Sequence, residues 1–190
     1  HQDFADLDQI TFSVWVRPDS FDHYNEIFRK EDGTNRLLFA FQENGSILSL
    51  GLNIGGYIEC DAPIDPALLL DGLWHHCAAT FDGKTMRVYL DGLEVDTLDR
   101  PGTIASGGAA PACIGSSNGG ECFQGAMDDL RIYATAFSAD QIGELHTPGR
   151  QAQLERIREQ EKALARIYIS KDTFSESLAT ARQRFADEKV

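Results

Sequence analysis

Glu94-Val95-Asp96 sets two carboxylates two residues apart on a run that alternates between polar and apolar positions. Alternation at period two puts residues i and i+2 on one face of a strand. A pair of carboxyl groups about 5–5.5 Å apart on one face is what a retaining glycoside hydrolase requires, one as acid and one as nucleophile. The run follows directly on the turn dipeptide Asp91-Gly92 and ends in Asp99. It therefore reads as a solvated hairpin strand ahead of a catalytic pair. His75 and His76 are neighbours on another alternating run, so their side chains face opposite ways and cannot share one metal ion. One imidazole is expected to serve backbone or carboxylate groups instead. Asp128-Asp129 is the best metal candidate by residue type, with Ca²⁺ the matching cation, although Ca²⁺ takes 6–8 oxygens and two strand neighbours present at most one carboxylate to it. Tyr24, Asn25, Asn35, Asn53, Tyr57 and Glu59 stand near expected strand or loop ends. Aromatic platforms beside amides and carboxylates suit a sugar, and the same residue types also form turns. No serine stands in a nucleophile elbow and no glycine run leads from strand to helix, so acyl and phosphoryl transfer lack the residues they need.

These residues depend for their positions on strands. Ile10, Phe12, Val14 and Val16 alternate with Thr11, Ser13, Trp15 and Arg17, and Met86, Val88 and Leu90 repeat the pattern. Between such runs stand Asp32-Gly33, Asn44-Gly45, Asp82-Gly83, Asp91-Gly92 and Asn118-Gly119, which tolerate the positive φ of tight hairpin turns. Strands are expected near 10–17, 24–30, 35–43, 46–54, 73–81, 85–91, 93–98, 111–116 and 122–134. Many short strands with glycine-rich turns imply two packed antiparallel sheets or a jelly roll.

The composition breaks at residue 149. All 17 glycines, six prolines and four cysteines lie at or before it. Residues 1–149 carry 8 Lys and Arg against 23 Asp and Glu, whereas 150–190 carry 9 against 7. Ser138-Ala-Asp-Gln141 is a capping box opening a short helix over 139–146, which Pro148 and Gly149 are expected to end. Beyond it, Leu154, Ile157, Leu164 and Tyr168 fall on one helical stripe, and Thr173-Phe-Ser-Glu176 is a second capping box. The expected organisation is a β-sandwich over 1–149 and a helical hairpin or connector over 150–190, turning near Ser170–Asp172. Its apolar stripe would bury against its partner helix, the sandwich, another domain of the parent chain or a second copy.

The net charge of −13 excludes nucleic acid and anionic lipid as partners, since both demand clustered Lys and Arg. No apolar run approaches the roughly 20 residues of a membrane span. Cys60, Cys77, Cys113 and Cys122 lack zinc-site spacing, and an even number suits an oxidising, extracellular or periplasmic compartment. Three pairings are possible. Cys113 with Cys122 across the Ser116–Gly120 turn, leaving Cys60 with Cys77, is the preferred one, while Cys77 also reads as a buried free thiol. The chain starts at His1 with no charged and apolar leader, which leaves the cysteines as the basis for expecting export.

Trp74-His75-His76-Cys77-Ala78-Ala79-Thr80-Phe81-Asp82-Gly83, Arg87-Val88-Tyr89-Leu90-Asp91-Gly92, Ile114-Gly115 and Phe123 through Tyr133 occur in that order. Together with Ile10–Pro18 and Ala136–Ile142, they resemble the laminin-G-like family of concanavalin A-type domains over roughly residues 10–146. The resemblance implies a jelly-roll sandwich with one concave face, frequently a carbohydrate or protein contact surface, and often one structural Ca²⁺. By position Asp129 resembles the aspartate that helps to hold that ion, with Asp128 beside it and Asp3 or Asp6 as further oxygen donors. Cys77 stands where the family usually has an aliphatic residue. The expectation is a non-catalytic carbohydrate- or protein-binding or scaffolding module of a larger exported protein. The alternatives are a glycosidase- or lyase-type enzyme on the same fold, and a structural module that dimerises through its tail.

Overall fold

The computed structural model describes residues 7–187, with side chains described for residues 7–164. Ten strands run β1 (Ile10–Pro18), β2 (Tyr24–Asp32), β3 (Asn35–Gln42), β4 (Ile47–Asn53), β5 (Tyr57–Pro63), β6 (His75–Phe81), β7 (Thr85–Leu90), β8 (Leu93–Asp99), β9 (Ala112–Ile114) and β10 (Gly125–Tyr133). They form two five-stranded sheets of order β10-β1-β6-β7-β8 and β5-β4-β3-β2-β9, with antiparallel pairing throughout both ladders. The inward residues of each alternating run meet between the sheets: Ile10, Phe12, Val14 and Val16 from β1, Leu37, Phe39 and Phe41 from β3, and Leu48, Leu50 and Leu52 from β4 are all fully buried. Phe12 crosses the gap to lie 5.3 Å from Phe28 and 5.7 Å from Phe39, ring centre to ring centre. Each such side chain removed from water contributes about 1.5–3 kcal/mol.

One strand escapes the sequence pattern. β5 is an edge strand, half exposed and ending in Pro63, so it lacks the apolar repeat of a central strand. Its signal is the Gly55-Gly56 turn after β4, with both residues at positive φ.

The C-terminal helix also differs from expectation. The short Pro66–Leu69 helix is α1, and α2 is a single element, Ala139–Asp187, with no turn at Ser170–Asp172 and no stop at Pro148-Gly149. Beyond Gly149 the sequence contains neither glycine nor proline, so nothing breaks the helical ladder, and Thr173–Glu176 continues it despite its capping pattern. Pro148 lacks the amide that would bond the Glu144 carbonyl, yet the element runs on through it. The helix does begin at its capping box, where Gln141 accepts from the Ser138 amide at 2.9 Å and Ser138 Oγ from the Gln141 amide at 3.3 Å. Its first turns place Ile142 and Leu145 against Ala78, Tyr89 and Phe137 on the outer side of the β6 sheet. The chain divides into two compact units, His1–Thr147 and Pro148–Val190. Among the described residues no helix is long and apolar enough to cross a membrane.

Candidate functional site

The outer face of the β5-β4-β3-β2-β9 sheet carries a groove of about 290 Å³. Its floor comes from β3, where Leu38 and Ala40 point away from the core between Arg36 and Gln42. β5 contributes Tyr57 and Glu59, and β2 contributes Tyr24, Glu26 and Arg29. Residues 26 and 29 share this face because β2 carries a bulge: its register against β3 shifts between Glu26 and Phe28, so outward positions are even before the bulge and odd after it.

The polar groups of the groove are tied to one another. Arg29 Nη1 donates to Glu26 Oε1 and to Glu121 Oε2, both at 2.8 Å, and its Nη2 donates to Glu31 Oε2 at 2.7 Å. Gln42 Nε2 donates to Glu59 Oε1 at 2.8 Å, and the Tyr57 hydroxyl donates to the same oxygen. The Arg36 guanidinium lies 4.0 Å over the Tyr57 ring, a cation–π arrangement that holds the tyrosine along the sheet. Beneath the ring β4 supplies Gly51, where a side-chain carbon would collide with the Tyr57 hydroxyl. Glu26 is only 2% exposed, and its Oε2 has no hydrogen-bond partner; Arg36 Nε is likewise buried without one. Burial pushes the Glu26 carboxyl up to about 7, and the Arg29 guanidinium beside it offsets only part of that rise.

Of the residues singled out by sequence, the groove brings together Tyr24, Tyr57 and Glu59. Asn25 faces inward and is fully buried, accepting from the Asp22 amide at 3.0 Å and donating to the Asp22 carbonyl. Asn35 opens β3 opposite Asp32, and Asn53 spans turns, donating to the Thr34 carbonyl and accepting from the Gly56 amide. Sequence reasoning missed Glu26, Arg29, Arg36, Gln42 and Glu121. Arg36 and Gln42 were legible as the outward positions of the alternating run Asn35–Gln42; Glu26 with Arg29 was not, because the bulge breaks the alternation.

The other candidates part company. β8 is bulged against β7, so Val88 pairs with Asp96 but Tyr89 with Glu94. Glu94 lies 3.7 Å from Arg87 Nε, whereas Asp96 Oδ2 meets Cys60 Sγ of the opposite sheet at 3.7 Å. They diverge and make no acid/base pair. His75 sits between Asp91 Oδ2 at 2.8 Å and Asp71 Oδ1 at 3.1 Å. Burial alone would lower its pKa, but these two carboxylates outweigh burial and raise it. Asp91 Oδ1 also accepts from the His76 amide at 2.8 Å, so His75 and Asp91 lock the β6–β7 end. His76 faces the other way, toward Trp15 and Ser13, and burial with His146 nearby drops it to about 4.

Asp129 Oδ1 accepts from Arg131 Nε at 2.7 Å, and Asp128 Oδ1 accepts from the Asp129 amide at 2.8 Å. A guanidinium on the candidate ligand opposes a divalent cation there, and among the described residues no group of three or more His, Cys, Asp or Glu is placed to hold a metal. Asp3 and Asp6 lie outside the described residues. Thermal unfolding with and without EDTA tests the Ca²⁺ expectation: a midpoint that falls on chelation and is restored by Ca²⁺ would support it, and an unchanged midpoint would defeat it.

The structure carries no disulfide: Cys60 and Cys77 are buried free thiols, Cys113 is half-buried and Cys122 exposed. Cys113 pairs with Arg29 along β2, while Cys122 bridges to Glu26. Cys60 Sγ faces Met86 of β7 and Asp96 of β8, whereas Cys77 lies on β6, further inside that sheet. Burial, with Asp96 beside it, pushes the Cys60 thiol up to about 12.

Two antiparallel sheets with a polar groove on one outer face define a concanavalin A-like sandwich. The chain belongs to the concanavalin A-like lectin/glucanases superfamily, whose laminin-G type family model matches residues 1–143. A curated relative, adhesion G-protein coupled receptor V1 of Danio rerio, is 27% identical over 168 residues, covering 80% of this chain. The chain spans about 2% of that receptor's length. Among solved structures, domain 4 of AbnA, a GH43 extracellular arabinanase from Geobacillus stearothermophilus, in complex with arabinotriose, is 24% identical with a TM-score of 0.58, over 73% of this chain and 66% of that one. The Ruminococcus gnavus IT-sialidase CBM40 is 16% identical with a TM-score of 0.63, over 74% and 84%. Domains LG4-5 of the mouse laminin alpha1 chain are 16% identical with a TM-score of 0.55, over 68% and 38%. At these identities the solved structures show the shared fold.

Proposed function

We propose that this domain is a non-catalytic glycan-binding module of a larger exported protein, with its site in the groove on the outer face of the β3 sheet. The observation that carries the reading is the pairing of two part-exposed tyrosines, Tyr24 at 40% and Tyr57 at 38%, with an apolar floor and a ring of fixed carboxylates. Rigid amphipathic rings beside positioned polar groups match the apolar faces and hydroxyl edges of sugars. Two structural relatives run the same way: one is a domain in complex with arabinotriose, and the sialidase CBM40 has been solved bound to sialyllactose. Extracellular placement rests on the company the fold keeps, a laminin chain and an adhesion receptor among them. A protein ligand is the second reading, favoured by those same two relatives.

The test is a glycan-array screen followed by titration of the hits against Tyr57→Ala. Loss of the ring is expected to weaken binding about tenfold or more, as for a stacked aromatic anchor. An array without hits, or hits indifferent to Tyr57→Ala, would remove the groove reading in favour of a protein ligand.

A further inference from the structure

The groove has a surplus of acceptors. Three carboxylates of the groove, those of Glu26, Glu59 and Glu121, together with Glu31 of the adjoining cavity, surround two guanidiniums. Arg29 is committed to three of those carboxylates, and Gln42 and Tyr57 each donate to Glu59. Glu26 adds a buried oxygen with no partner of its own. A ligand carboxylate or sulfate entering here would meet net negative charge, with Arg29 already shared among three carboxylates and Arg36 stacked on Tyr57 as the one guanidinium without a hydrogen bond, whereas hydroxyl and ammonium groups bring what the groove lacks.

We infer that the groove selects donor-rich glycans, neutral or amino-substituted, and rejects acidic ones, with Glu26 as a specificity-determining residue. This rests on the glycan-binding reading of the same groove and names its ligand class. The chemistry is that of ligand exclusion: a like charge held in a partly desolvated site costs more than the same charge at an open surface, and salt relieves it.

The experiment titrates the intact chain at pH 8, by calorimetry, with size-matched neutral, amino-substituted and uronic or sialylated oligosaccharides, at low and high salt. Acidic ligands are expected to bind at least about tenfold more weakly than neutral ones at low salt, with the gap narrowing as salt rises. Glu26→Gln removes one charge with little change in shape and is expected to narrow the same gap at fixed salt, whatever it does to neutral affinity. Acidic ligands that bind as well as neutral ones, through a groove still sensitive to Tyr57→Ala, would overturn this inference and leave the groove reading standing. A gap that Glu26→Gln leaves unchanged would likewise overturn the role of Glu26. Binding that ignores Tyr57→Ala would remove both.

Discussion

Glu26→Gln is expected to make the protein more stable at pH 8 by up to about 3 kcal/mol, and to change nothing near pH 4.5. The carboxyl moves from an ordinary 4.5 to about 7 on folding, chiefly through burial. Between those values the folded chain holds a proton that the unfolded chain has released, so stability declines as pH rises across this window. The stabilising contribution of the protonated group is complete below 4.5 and lost once pH passes about 7. An amide carries no such penalty, and Arg29 retains Glu31 and Glu121 when Glu26 is neutral. Chemical denaturation of both proteins at pH 5 and pH 8 checks this: a variant advantage that is equal at the two pH values would refute the burial assignment. A buried charge that costs stability at neutral pH, on a face where Leu38 and Ala40 already provide a dry floor, is the kind of expense that proteins keep at working sites.

The sandwich was legible because inward residues of β1, β3, β4, β6 and β7 alternate cleanly and glycine turns mark their ends. The groove was legible only in part. Tyr24, Tyr57 and Glu59 announce themselves by chemical type, and Arg36 and Gln42 by alternation. The rest depends on the bulge at Glu26–Phe28, which exchanges the two faces of β2 halfway along and has no residue signature in Glu-Ile-Phe. Alternation counted from Tyr24 puts Lys30 on the outer face and Arg29 in the core; the structure reverses both. The bulge in β8 does the same to Glu94 and Asp96, turning an apparent carboxylate pair into two unrelated side chains. The cysteines follow neither pattern: Cys113 and Cys122 both come to one edge of β2, opposite Arg29 and Glu26, as free thiols.

Lys30→Met is expected to destabilise the domain by about 3 kcal/mol, the scale of two buried hydrogen bonds to a charged donor. Lys30 is 1% exposed, and its ammonium donates to the Gly107 and Gly108 carbonyls at 2.6 and 3.1 Å. Two residues on, Asp32 Oδ2 accepts from the amides of Ala109 and Ala110, so one end of β2 pins the whole 107–110 loop. Methionine keeps the length of the stem but orphans both carbonyls. The consequence reaches the binding face, because Ala110 and Pro111 help to wall a second cavity of about 350 Å³ that shares Arg29 with the groove. A glycan long enough to pass Arg29 would rest on that wall, while a short one would not. Lys30→Met should therefore weaken long oligosaccharides more than short ones under conditions where the variant stays folded. Denaturation gives the first number and titration across a length series the second; an unchanged midpoint would show that the loop does not depend on Lys30, and an equal loss at every length would show that the second cavity takes no part in binding.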